Sequence, residues 1–143
     1  MGNIHHQAIV HAPPQAVYDY VADVRNTSAY ISAFQAVQSG PEPPGPPAVG
    51  QHYRVAALFL GNPAHLQVRL VRLDPGELVQ MALEGQPSGL ISVQLKPVHA
   101  GTATQVALTL DTPQFNSFML NMVLGGMLED ALHRLNATLR AAP

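Results

Sequence analysis

The chain has 143 residues, 47% of them apolar, with seven Lys plus Arg against nine Asp plus Glu and no Cys. That much apolar material builds a sizeable core in one domain spanning 1–143, while the absence of cysteine excludes disulfides and thiolate metal sites. A net charge of −2 supplies no basic field to gather phosphate backbones, so nucleic acid is excluded as a partner.

No basic start followed by an apolar stretch opens the chain, which points to a cytoplasmic protein. Ile4 to His11 is short and rich in Ile, Val and His, and reads as a first strand running into Ala12-Pro13-Pro14. Proline is favoured in the first turn of a helix, where its missing N–H costs nothing. Val17, Tyr20 and Val21 then share one stripe, predicting a helix of about two turns. Asp23 is placed to cap a second short helix from Val24 to about Ile31.

Phe34 to Ser39 follows as a second strand. Five prolines between positions 41 and 47 fix a stiff, extended loop that cannot pair in the centre of a sheet. Five strands come next: Gln51 to Leu60, His65 to Asp74, Leu78 to Gly85, Gly89 to Lys96 and Thr102 to Asp111. Short turns such as Gly61-Asn62-Pro63, Asp74-Pro75-Gly76 and Ala100-Gly101 separate them, so they predict an antiparallel meander.

The last element is a long helix from about Gln114 to Arg140. Its stretch from Phe115 to Leu128 carries no charge, and the apolar residues fall on every side of a helical projection. Downstream the pattern narrows to Leu128, Leu132, Leu135 and Leu139, spaced four, three and four. The second half therefore needs one partner surface. The first half must meet apolar material on two sides, such as a sheet and either a cavity or a second subunit. Its 14 uncharged residues fall short of the roughly 18 to 20 that span a bilayer, so stable membrane insertion is not expected.

These elements predict an α+β arrangement, with a curved antiparallel sheet of six to seven strands wrapped around the long C-terminal helix and two short helices after the first strand. The segments IVHAPPQAVYDYVADVRNTSAYI, LDPGELV and LKPVHAGTATQVALTLD, in that order, resemble the START-like helix-grip superfamily, also called SRPBCC, and within it the polyketide cyclase/dehydrase-like branch. The resemblance implies a pocket for an apolar or amphipathic ligand between helix and sheet. Members typically carry Trp near the end of the second short helix; Tyr30 stands there in this chain and would shape the cavity mouth.

Strand alternation predicts which side chains face that pocket if the apolar ones take the concave side. It places Tyr53, Val55, Ala57 and Phe59 inward on the third strand, Leu66, Val68 and Leu70 on the fourth, and Val79, Met81 and Leu83 on the fifth. Ile91, Val93 and Leu95, then Val106, Leu108 and Leu110, follow on the last two. Phe118, Met119, Met122, Val123 and Gly126 would face them from the helix. The same phase sends His52, Arg54, His65, Gln67, Arg69, Gln80, Glu84, Gln94 and Lys96 outward.

Catalysis needs a positioned acid, base or nucleophile. In the inward set only Tyr53 qualifies, with Arg72 near a strand end as a second candidate, and both are weak. The seven histidines form no HxH or HExxH spacing, so neither a metal site nor a cofactor is expected. The sequence thus favours binding of a small hydrophobic molecule (a lipid, polyketide or isoprenoid) by Tyr30, Tyr53, Phe59, Met81, Ile91, Val93, Val106, Leu108, Phe118, Met119, Met122, Val123 and Gly126. A cyclase or dehydratase using Tyr53 and Arg72 is the alternative. A third reading is a dimeric scaffold with a filled pocket, compatible with the thinly charged surface of a chain in which only 11% of residues are charged.

Overall fold

The computed structural model describes residues 2–41, 45–59, 61–85, 88–112 and 118–140, with side chains described at all of these except 2, 3, 59 and 118–121. Strand β1 (Gly2–Val10) runs into helix α1 (Pro14–Ala22) through an extended Pro13, with Pro14 in the first helical turn. Asp23 then ends α1, and its Oδ1 accepts the Arg25 N–H at 3.1 Å, the capping role expected of it.

The second helix is shorter than its sequence suggests. A 3-10 turn covers Val24–Asn26, and α2 is the single turn Thr27–Tyr30. At the seam the buried Thr27 hydroxyl donates to the Val24 carbonyl at 2.7 Å, a side-chain bond to the i−3 carbonyl that competes with continuous helix.

The remaining strands are β2 (Phe34–Ser39), β3 (His52–Phe59), β4 (Asn62–Asp74), β5 (Leu78–Glu84), β6 (Gly89–Val98) and β7 (Ala103–Thr112). With β1 they form one seven-stranded antiparallel sheet in the order β1-β7-β6-β5-β4-β3-β2. From β2 onward the chain meanders, and β1 closes on β7. β4 starts three residues earlier than its apolar pattern indicates, at Asn62 directly after Gly61, whose φ of +82° makes the tight turn.

Helix α3 (Phe118–Arg140) crosses the concave face. Leu128, Leu132, Leu135 and Leu139 are buried as their spacing predicts, together with Leu124 and Ala131. The helix is fastened to the start of the chain by the Asn136 side chain, whose Oδ1 accepts the His11 N–H at 2.9 Å. From β7 the buried Thr104 hydroxyl donates to the Ala12 carbonyl at 2.8 Å, which fixes where α1 begins. Val17 and Val21 of α1 are fully buried in the same core.

The first half of α3 departs from expectation. Met122 is 63% and Val123 48% exposed, and Gly126 is exposed as well, so these three do not face the sheet. Instead Leu124 and Gly125 turn inward. A Cβ at Gly125 would lie 3.2 Å from the His6 ring and 3.9 Å from Ile4, so the helix rests on edge strand β1. An element apolar on every side does not declare its rotation, and the strand it meets decides it. Among the described residues no helix is long and apolar enough to cross a membrane.

Candidate functional site

Where α3 passes over the sheet, Met127, Leu128 and Ala131 face Ile91 on β6 and Leu108 and Leu110 on β7, with Ile31, Phe34 and Leu83 closing the sides. These nine apolar residues enclose a cavity of about 20 Å³. That is room for about one water molecule. The lining carries no ionisable group, so it can hold apolar matter but offers no acid or base to a reacting molecule.

The apolar cavity among the described residues lies along the helix from Met127 to Ala131, and of the residues expected to line a ligand pocket Ile91 and Leu108 border it. Met81, Val93 and Val106 are fully buried in the same face of the sheet but outside this lining. Met122, Val123 and Gly126 point away from it, and the side chains of Phe59, Phe118 and Met119 lie outside the described residues.

Tyr30 and Tyr53 are brought to a separate polar cluster. Tyr53 is 2% exposed; its hydroxyl donates to Gln51 Oε1 at 3.2 Å, and the Arg25 guanidinium is near enough to act on it. Burial raises the Tyr53 pKa, opposed by Arg25, with Asp23 adding to the rise. Gln51 is itself held by the proline-rich loop: its Nε2 donates to the Pro46 carbonyl at 3.1 Å and its Oε1 accepts the Ala48 N–H at 3.0 Å. Tyr30 is 1% exposed and its ring lies 6.0 Å from that of Tyr20, yet its hydroxyl has no partner. Burial above all, then the neighbouring Tyr20 and Asp23, pushes this phenol well above its ordinary range.

Arg72 does not join Tyr53. Continued alternation after Leu66, Val68 and Leu70 would turn it inward, but a bulge between Leu70 and Arg72 shifts the phase. Leu73 packs on the core instead, and Arg72 pairs with Asp74 at 2.9 Å with its side chain 59% exposed. Arg25 is the cation that reaches Tyr53, and no local pattern announces it. Ile31, Phe34 and Ala131 also escape sequence reading, because their shared wall joins two segments distant in the chain.

A larger recess of about 490 Å³ runs outside the core between β1 and α3, lined among others by His6, Gln7, Gly126, Glu129, His133 and Asn136. It is open to solvent and mixed in polarity, so the smaller apolar cavity is the better match for an oily ligand. Among the described residues no group of three His, Asp or Glu side chains is placed to hold a metal ion.

The family model for polyketide cyclase/dehydrase and lipid transport matches residues 1–140. Among curated proteins no sequence matches. The fold is similar to a START superfamily protein from Mycobacterium smegmatis, at a TM-score of 0.78 and 12% identity over 96% of this chain and 97% of that one. It is also similar to the Zhui aromatase/cyclase from a Streptomyces species, at 0.77 and 18% over 96% and 93% of the two chains. The Aha1 dimer from Colwellia psychrerythraea gives 0.70 and 18% over 99% and 98%. At these identities the likeness concerns the fold.

Proposed function

The chain belongs to the polyketide cyclase/dehydrase and lipid transport family, and from that premise we propose that it binds a small hydrophobic or amphipathic molecule, lipid-, polyketide- or isoprenoid-like, between α3 and the sheet. The observation that carries this is the all-apolar cavity bounded by Met127, Leu128 and Ala131 above and by Ile91, Leu108 and Leu110 below. At about 20 Å³ it holds no lipid as it stands. A ligand enters by parting the wall, and the unbranched, partly buried Met127 is the side chain best able to change rotamer. The expected ligand is apolar along most of its length. Binding is preferred to cyclase or dehydratase chemistry because the cavity presents no proton donor or acceptor.

Titration with a fluorescent fatty acid tests this, alongside organic-solvent extraction of the purified protein. Saturable micromolar binding that weakens in Ala131→Val, whose two added methyl groups would take up the cavity, is expected. An empty extract together with no saturable binding in the unsubstituted protein would overturn the proposal.

A homodimer is a second reading, favoured by the exposed Met122 and Val123 on α3 and by a dimeric structural neighbour. Light scattering tests it; a monomer at all concentrations would sink it. A cytoplasmic location belongs to the same proposal and is tested by cell fractionation.

A further inference from the structure

The outer face of the sheet, opposite the cavity, carries a row of polar side chains that the interior reading leaves unused. Pairing across four strands aligns Ser39 with Arg54, Arg54 with Gln67, and Gln67 with Glu84. One step along, His52 pairs with Arg69; one step the other way, His65 pairs with the small Ala56. Ser39, His52, Arg54, His65, Gln67 and Glu84, with Tyr53 and Leu66, line a recess of about 420 Å³, and Arg69 stands beside it through its contact with Glu84.

Its charges do not balance. Glu84 is taken up by Arg69 at 3.6 Å and lies 3.9 Å from His52. Arg54 has no ion pair or hydrogen bond among the described residues, although it stands in the middle of the row. A chain with two more acidic than basic side chains therefore concentrates two of its arginines and two histidines around a single carboxylate.

We infer that this recess is an anion site for a phosphate group, either a free phosphate or the head of an anionic phospholipid. A guanidinium presents a planar fork of N–H donors that matches phosphate oxygens. Ser39 and Gln67, on either side of Arg54, add neutral donors. His52 and His65 add ring N–H donors at the two ends of the row. Facing them are Arg54 from β3, Arg69 from β4 and Glu84 from β5. Glu84 stays paired with Arg69, which leaves Arg54 as the group that receives the anion.

The test follows the backbone amide and histidine ring signals by NMR as inorganic phosphate is added, with chloride at equal ionic strength as the reference. Saturable shifts at His52, Arg54 and His65 are expected. Arg54→Gln should weaken the apparent affinity about tenfold, and Arg54→Lys should weaken it less, since only the charge survives. Position 54 is exposed, and the circular dichroism of both variants checks that the fold is intact. A parallel arm sediments the protein with phosphatidylcholine vesicles with and without phosphatidic acid. Binding to acidic vesicles alone, lost in Arg54→Gln, assigns the phosphate to a lipid head group. Equal shifts with chloride, an unchanged response in Arg54→Gln, or no response in either arm overturns the proposal. Fluorescent fatty acid binding by Arg54→Gln reports separately on the interior cavity, so the two readings fail independently.

Discussion

The ring of Tyr53 lies so close to Gly40 that a Cβ at position 40 would sit 2.8 Å from both Cδ2 and Cε2. The ring cannot retreat toward solvent, because Tyr53 is almost wholly buried and its hydroxyl is held by Gln51. Gly40→Ala should therefore destabilise the protein by about 1–3 kcal/mol through overpacking. Urea denaturation measures it, and a double-mutant cycle assigns it. In a Tyr53→Ala background the cost of Gly40→Ala should largely vanish. A penalty that persists there would place its cause in the backbone.

Tyr30 has a buried hydroxyl with no partner, and such a group costs about 1–3 kcal/mol relative to a satisfied one. Tyr30→Phe should accordingly leave stability at neutral pH unchanged or raise it by about 1 kcal/mol. Its effect at alkaline pH follows from the raised phenol. Above the ordinary value of 10.0 the unfolded chain loses this proton while the folded chain keeps it. Stability present below that pH is then lost as pH rises toward the folded value, at about 1.4 kcal/mol per pH unit from this residue. The Phe variant should lack that share of the decline. Equal alkaline slopes in the two proteins would show that Tyr30 is not the source.

The strands were legible because period two survives in them. Val55, Leu66, Val68, Met81, Val93 and Val106 are buried where alternation puts them. Arg72 was not legible, since a bulge adds one residue without a signature of its own and Leu73 takes the inward place. The rotation of α3 was not legible either. Its charge-free first half fits any face, and contact with His6 and Ile4 through Gly125 selects one that leaves Met122 and Val123 outside. The cavity escaped for a different reason: its size depends on how Phe34, Leu108 and Ala131 interlock, and those residues meet only in the folded chain.

Arg25 holds the Tyr53 phenol down against burial, which acts in the opposite direction and more strongly. Removing the cation in Arg25→Gln should raise the Tyr53 pKa further, because desolvation and Asp23 then act unopposed. Ultraviolet titration of phenolate absorbance, compared with Tyr53→Phe to isolate this residue, gives the reading. Asp23→Asn should shift the same phenol downward by removing a negative neighbour. A Tyr53 titration indifferent to both substitutions would mean that the cluster does not couple electrostatically.

Gly125 and Gly126 are neighbours in α3 with opposite surroundings. A Cβ at Gly126 meets nothing within 4 Å, whereas one at Gly125 meets the His6 ring at 3.2 Å. Glycine inside a helix costs about 0.5–1 kcal/mol relative to alanine, so Gly126→Ala should stabilise the protein by that amount. Gly125→Ala makes the same propensity gain but presses on a ring seated between strand and helix, and it should come out neutral or destabilising. The difference should disappear when His6 is replaced by Ala, which removes the obstructing ring. Thermal melts of five variants (Gly125→Ala, Gly126→Ala and His6→Ala alone, and His6→Ala combined with each glycine substitution) decide it. Stabilisation by Gly125→Ala with His6 intact would mean that α3 does not rest on β1 as closely as described.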